Sequence, residues 1–276
     1  MSVETPAAGA RSVELLASTT YGERGPRVVL LHGLFGQGRN FTGVARSLAD
    51  DARVTLVDLP DHGRSPWSDR FSYKGVADRV ADFLAETAPG ERWTVVGHSM
   101  GGKVAMLVAL RRPELVERLC VVDIAPARTS ADGGFGAFVT AMRQVDLETL
   151  PDRAAADDVV ARGVPDATVR GFLLQNLRRD GSGAQARWRW QMNLALLGDH
   201  LSELAGWPED QAGTYGGPVL WLAGADSDYV RPESAPVMRA LFPRVRLMRI
   251  KHAGHWVHAD QPAVFVAALR GFLAVS

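Results

Sequence analysis

A single cysteine, Cys120, stands among 276 residues. It excludes internal disulfides and cysteine-rich metal centres, and it fits a reducing compartment. An excess of either charge is missing as well: 31 lysines and arginines balance 31 aspartates and glutamates. Without an overall positive field, nucleic acid is not an expected partner. No stretch approaches the roughly 18 consecutive apolar residues of a membrane-crossing helix, so no membrane span is expected. Met1 to Ser12 lack the apolar run that a secretory signal places before its cleavage site, which makes a cytoplasmic location the default expectation. There is also no internal repeat or low-complexity segment.

What the chain does have is an ordinary globular composition, 46% hydrophobic and 22% charged, far from the signature of disorder. Short aliphatic runs alternate with longer segments of helical period, the pattern of a mostly parallel, doubly wound α/β sheet with crossover helices. Arg27 to Leu31, Arg53 to Val57, Trp93 to Val96, Leu119 to Val122, Pro218 to Leu222 and Arg246 to Ile250 read as near-continuous apolar strands covered on both faces. Val76, Val80, Phe83 and Leu84 make a one-sided helix that Ser72 is placed to cap. Val264, Phe265, Ala268, Leu269, Phe272 and Leu273 make a closing helix that starts after Gln261-Pro262.

From about Ala127 the strand rhythm stops. Helical stripes take over, such as Phe135, Phe138, Val139 and Met142, or Val169, Phe172, Leu173 and Leu177, with Arg179 to Gly183 as a loop among them. The expected organisation is a core of residues 1–126 and 211–276, with residues 127–210 forming a helical cap inserted between two late strands. Such a cap would lie over the carboxyl ends of the strands, where ligands bind in these sheets.

The strongest chemical signal is Gly97-His98-Ser99-Met100-Gly101, which follows a strand and precedes a helix-compatible run. A turn this sharp strains Ser99 and pushes its hydroxyl out of the sheet, and the flanking glycines remove side chains that would clash. The helix that follows aims its first amides at the place where a negative oxygen would develop. His32-Gly33-Leu34-Phe35-Gly36, after an earlier strand, is a second source of backbone donors. The amide of Met100, with that of Leu34 or its neighbour Phe35, would form an oxyanion hole.

A serine nucleophile needs a base. His252, His255 and His258 cluster after the last strand, and Ala253-Gly254 gives His255 a bendable approach to Ser99. The i, i+3, i+6 spacing of these three also suits zinc, but no acidic cluster elsewhere calls for the metal and a serine elbow has no use for it. No metal is expected, and His32 and His98 are read as bracing the site. A third group must orient the imidazole. Asp123 ends one strand; Asp228, with Asp226 as a weaker third, lies in the loop after the next. Position favours Asp228, because the loop after that strand is the commoner home for this acid.

Taken together, His32-Gly-Leu-Phe-Gly36, Asp58-Leu-Pro-Asp-His-Gly-Arg-Ser-Pro66, Gly97-His-Ser-Met-Gly-Gly-Lys103, Val122-Asp-Ile-Ala-Pro126 and Ala253-Gly-His-Trp-Val-His-Ala259 resemble the α/β-hydrolase superfamily. More narrowly they resemble small capped carboxylesterases related to the mitochondrial abhydrolase-domain proteins, over about Pro26 to Leu273. The resemblance implies an α/β-hydrolase fold and shifts the acid toward Asp123, since that branch takes it from the Asp-Ile-Ala-Pro aspartate. This chain keeps an aspartate at 228 as well.

The activity implied is hydrolysis of carboxylic esters of small or medium acyl groups through an acyl-enzyme on Ser99, without a cofactor and with a small-molecule acyl substrate as partner. Thioester or carbon–carbon bond hydrolysis, a lyase or a cofactor-free haloperoxidase would use the same scaffold, and an inactive small-molecule receptor would use its pocket. Nothing in the sequence sets an oligomeric state.

Overall fold

The structure, a computed structural model, describes residues 15–129, 134–181 and 186–274. The reading of Met1 to Ser12 lies outside the described residues, as do Ser182 and Gly183 of the loop placed at 179–183, whose first two residues instead end a strand.

The described strands are β1 (Ser18–Tyr21), β2 (Arg27–Leu31), β3 (Arg53–Val57), β4 (Trp93–His98), β5 (Val116–Val122), β6 (Leu177–Asp180), β7 (Arg187–Trp190), β8 (Val219–Gly224) and β9 (Val245–Ile250). Seven of them form one sheet in the order β1-β3-β2-β4-β5-β8-β9. Only β1 runs antiparallel to its neighbour; the other pairs are parallel.

Between strands lie α1 (Thr42–Leu48), α2 (Tyr73–Thr87) and α3 (Met100–Arg111). The chain then continues through α4 (Phe135–Arg143), α5 (Arg153–Ala161), α6 (Ala167–Leu174), α7 (Leu194–Asp199) and α8 (Leu201–Ala205), and ends with α9 (Ala235–Leu241), α10 (Val257–Asp260) and α11 (Pro262–Ala274).

The apolar runs of the central strands serve two cores. Along β2, Val29 and Leu31 face a core shared with α2 and α3, while Val28 and Leu30 face one shared with α1 and α11. That two-sided burial is why these strands read as unbroken hydrophobic runs rather than alternating ones. Ser72 caps α2 as expected, its hydroxyl accepting from the Gly75 amide at 3.0 Å, a contact worth about 1 kcal/mol.

Three elements differ from the sequence reading. β1 is added at one edge; its Ser-Thr-Thr-Tyr composition and exposure give no apolar run to detect. β9, read as covered on both faces, is the opposite edge, and Leu247 and Met248 are exposed there.

Between β5 and β8 the chain departs from the sheet, and α4 to α8 are interrupted by an antiparallel hairpin, β6 with β7. Leu177 opens that hairpin instead of continuing a helical stripe, because α6 ends at Leu174. Strand connectivity leaves the ends of β2, β4, β5, β8 and β9 at one edge of the sheet, so their following loops share a single crevice.

Candidate active site

Ser99 sits between β4 and α3 with φ 52° and ψ −119°, a backbone conformation that a non-glycine residue adopts only when its surroundings impose it. A side chain at Gly97 would collide with the Gly101 carbonyl, and one at Gly101 with the carbonyls of Leu31 and His32. Glycine at these two positions is thus what lets strand, turn and helix close up around the serine.

His255, carried on the loop after β9, lies with Nε2 3.0 Å from Ser99 Oγ and Nδ1 2.8 Å from Asp123 Oδ2. A carboxylate only accepts, so Nδ1 carries the proton and Nε2 is the atom open to the serine hydroxyl. The imidazole is held from two further sides. Its face stacks on Tyr229 with ring centroids 3.8 Å apart at 18°, and its backbone carbonyl accepts from His98 Nε2 at 2.8 Å.

Of the aspartates weighed from sequence, the structure brings Asp123 to His255 and leaves the others outside. Asp123 is fully buried with φ 50°, a second non-glycine residue held in the left-handed region. Its Oδ1 accepts from the Gly224 amide at 2.9 Å, and Oδ2 accepts from the Ser227 hydroxyl as well as from His255. Asp228 is exposed, and its backbone carbonyl accepts from Arg231 Nε at 3.2 Å. Position had favoured Asp228, and the geometry runs against that. The loop after β8 turns so that Tyr229 meets His255, which directs Asp228 to solvent. Asp226 is also exposed.

Sequence reasoning missed Ser227, which lies between the two exposed aspartates and reaches Asp123 by sharing the turn after β8. Its only sequence signal is a small hydroxyl residue in a loop beside the β5 end.

Met100 is the first residue of α3, so its amide has no intrahelical acceptor. Leu34 lies in the loop after β2, whose approach to the elbow is close: a side chain at Gly33 would stand 3.2 Å from Ser99 Cβ and 3.0 Å from His98 Nδ1. The Phe35 amide donates instead to His62 Nε2 at 3.2 Å, and Phe35 has φ 60°. Of the two amides that the sequence left open, therefore, Phe35's is occupied and Leu34's has no hydrogen-bond partner among the described residues.

Three buried histidines, His32, His62 and His98, and the half-buried His258 surround this centre in neutral form. His32 is pushed down to about 3 by burial and by repulsion from His62, and His62 is itself lowered by burial. His98 is depressed by burial and by His255 and His258, and His258 falls to about 4 by burial and by His255. His32 and His62 use both ring nitrogens to fix loops, His32 joining the amide of Leu59 to the Gly33 carbonyl and His62 the amide of Phe35 to the Pro60 carbonyl, while His98 holds His255 through Nε2. His252 is exposed. Among the described residues no group of three or more His, Cys, Asp or Glu side chains is placed to hold a metal ion.

Two cavities open from Ser99. One, about 460 Å³, is lined by Leu34, Tyr73, Met100, Ile124, Phe135 and Leu204 among others. The second, about 250 Å³, is lined by Phe41, Phe138, Phe172, Trp256 and the histidines.

Residues from 127–210 are tied to the loops below them. Asn176 accepts from Gln37 Nε2 at 2.6 Å and donates to the Phe35 carbonyl at 2.8 Å, and Asn193 Nδ2 donates to Asp61 Oδ1 at 3.1 Å. Lys103, the fourth residue of α3 and wholly buried, donates to the carbonyls of Leu204, Ala205 and Gly206 at 3.3, 2.8 and 2.6 Å. Burial pushes its ammonium down to about 7, while these three acceptors at the end of α8 and the Tyr73 ring 5.4 Å away favour the charged form.

Fold and site together define a hydrolase scaffold with a serine elbow, and residues 26–262 match the α/β hydrolase fold family. The chain belongs to that family. It is 41% identical over 255 residues to the sn-1-specific diacylglycerol lipase ABHD11 of Mus musculus, covering 90% of this chain and 81% of the relative. To the esterase YbfF of Escherichia coli it is 31% identical over 248 residues, covering 89% and 92%. Among solved structures, a marine microorganism esterase superposes with a TM-score of 0.89 at 30% identity, covering 94% of this chain and 99% of that one. These relatives place the chain beside the abhydrolase-domain proteins.

Proposed function

We propose that this protein is a serine ester hydrolase that cleaves carboxylic esters of small or medium acyl groups through an acyl-enzyme on Ser99. The observation that carries this reading is the unbroken hydrogen-bonded line from buried Asp123 through His255 to Ser99, next to two amides with no other partner among the described residues. Ser99 Oγ attacks the acyl carbonyl while its proton passes to His255 Nε2. Asp123 stabilises the resulting imidazolium and keeps its Nδ1–H aligned. The amides of Met100 and Leu34 donate to the oxyanion of the tetrahedral intermediate.

Collapse of that intermediate breaks the ester C–O bond, and the alcohol leaves with the proton held on His255. Water then attacks the acyl-enzyme, giving its proton to His255, and the second collapse returns that proton to Ser99 as the acid departs. The larger cavity, with Phe135, Ile124 and Leu204, suits the acyl group, and the smaller one the alcohol. Residues 127–210 act as a cap that closes over both. The names of the mouse and bacterial relatives, a lipase and an esterase, support ester bonds as the target class. A small-molecule acyl substrate is then the partner, and a cytoplasmic location fits the unpaired Cys120.

Hydrolysis of p-nitrophenyl esters of increasing acyl length, on wild type and Ser99→Ala, tests the reading. Turnover by wild type with an optimum at short or medium chains, lost in the folded variant, is expected. Absence of turnover at every length would point to a receptor or a different reaction.

A further inference from the structure

On the far side of the loop after β2 lies a cleft of about 350 Å³ that the proposed reaction does not use. Its walls carry three arginines, Arg39, Arg64 and Arg178, and a single carboxylate, Asp58. The chain as a whole is neutral, so this concentration of one sign is local.

The arginines here also lack the carboxylate partners that many others in the chain have. Arg27, Arg53, Arg111, Arg112 and Arg170 each lie within ion-pair distance of an aspartate or glutamate. Arg39 donates instead to the Gln175 carbonyl at 2.8 Å, and Arg178 to Gln191 Oε1 at 3.0 Å. Arg153, behind them, donates to the carbonyls of Leu174 and Leu177. None of these four arginines forms an ion pair among the described residues. Asp58 supplies one opposing charge against these arginines, and its two oxygens accept from the backbone amides of Gly38 and Arg64 at 2.8 and 2.9 Å rather than from a guanidinium.

The guanidinium groups are near enough to repel one another. Arg39 is lowered from its ordinary value by loss of solvent and then by Arg178 and Arg153, with Asp58 opposing, and Arg153 is lowered by loss of solvent and by Arg178. Neutral acceptors hold Arg39, Arg153 and Arg178 in place, while like charges face each other across a cavity. Such an arrangement gains most from an incoming group with several anionic oxygens, which matches the fork geometry of guanidinium donors.

We propose that this cleft is a binding site for a phosphoryl group. Arg39 and Arg64 come from loops of the sheet, and Arg178 from the β6–β7 hairpin, so the bound group bridges the two parts of the molecule. Arg39 precedes Asn40, which lines the smaller cavity at Ser99. The phosphoryl group thus belongs either to a free small anion or to the alcohol half of the ester.

Calorimetric titration of the full-length protein with inorganic phosphate, against chloride at matched ionic strength, tests the site without relying on catalysis. Saturable phosphate binding is expected, weakened about tenfold or more in Arg64→Gln/Arg178→Gln. Arg64→Gln alone, whose side chain holds no other residue by hydrogen bonds, should weaken it while leaving thermal unfolding unchanged. No saturation in wild type, or equal heats from chloride, would overturn the proposal.

Comparing 1-butyrylglycerol with 1-butyrylglycerol 3-phosphate then separates the sources. A lower KM for the phosphorylated ester, lost in the double variant, assigns the phosphoryl group to the substrate. Equal KM values beside saturable phosphate binding assign it to a separate anion.

Discussion

Asp123 and Asp228 each follow a strand of the same sheet, and their surroundings differ in every respect that matters to a charge. Asp123 is sealed from solvent in a left-handed backbone conformation and receives donors from Gly224, Ser227 and His255. Asp228 is exposed, in a loop that offers His255 a tyrosine ring instead. A buried carboxylate persists only when its charge is matched by hydrogen bonds, and an unfavourable φ persists only when the surroundings fix it. Both conditions hold at position 123 and neither at 228, which is how the structure distinguishes two residues that look equivalent in the chain.

The comparison can be broken most directly by neutralising each acid. Asp123→Asn should lower kcat for ester hydrolysis by about 10⁴-fold, because the amide favours the wrong imidazole tautomer. Asp228→Asn should stay within about twofold, the scale of a surface change. Similar losses from both would return the acid to an open question.

Acid should weaken the side of the molecule that holds Asp123. His32, His62, His98 and His258 have folded-state values lowered below 6.5, so the unfolded chain binds more protons as pH falls. Stability is therefore fully present above about pH 6.5 and declines below it, by up to about 1.4 kcal/mol per pH unit for each histidine. Denaturant midpoints at pH 7 and pH 5.5 give the slope, and a flat profile would contradict the neutral histidine framework.

Lys103 extends the contrast to the insertion, since it is buried like Asp123 and likewise held by several partners. Lys103→Met leaves the Gly206 carbonyl without its donor, while those of Leu204 and Ala205 keep Tyr73 and Thr129, and should cost about 1–3 kcal/mol. Urea unfolding with an unchanged slope would report it. Ser227→Ala is a gentler probe, removing one of three donors to Asp123. A loss in kcat of about tenfold is expected, the worth of one hydrogen bond to a charged group, and no loss would make Ser227 a bystander.

The extent to which the sequence disclosed this arrangement follows from burial. The central strands were legible because burial on both faces demands unbroken aliphatic runs, and Ser99 because its turn demands glycines at 97 and 101. β1 and the β6–β7 hairpin were not. Their partly exposed residues, such as Arg178-Arg179-Asp180 and Arg187-Trp188-Arg189, carry no continuous apolar run, and pairing makes them strands. His255 stood out by its place after the last strand. The choice between Asp123 and Asp228 depends on how the loop after β8 folds back, a long-range contact that no local pattern encodes. Asn176 and Asn193 lay in segments that had no assignable role in sequence, and their contacts to Phe35 and Asp61 exist only once the insertion is packed on the sheet.

The central claim is that Asp123 and His255 activate Ser99. It is tested most directly by the rate of covalent labelling with a fluorophosphonate, followed by intact mass on wild type, Ser99→Ala, Asp123→Asn and Asp228→Asn. One adduct per chain is predicted on wild type, with none on Ser99→Ala, slow labelling of Asp123→Asn, and Asp228→Asn reacting like wild type. An unlabelled wild type, or equal rates for Asp123→Asn and wild type, would contradict it.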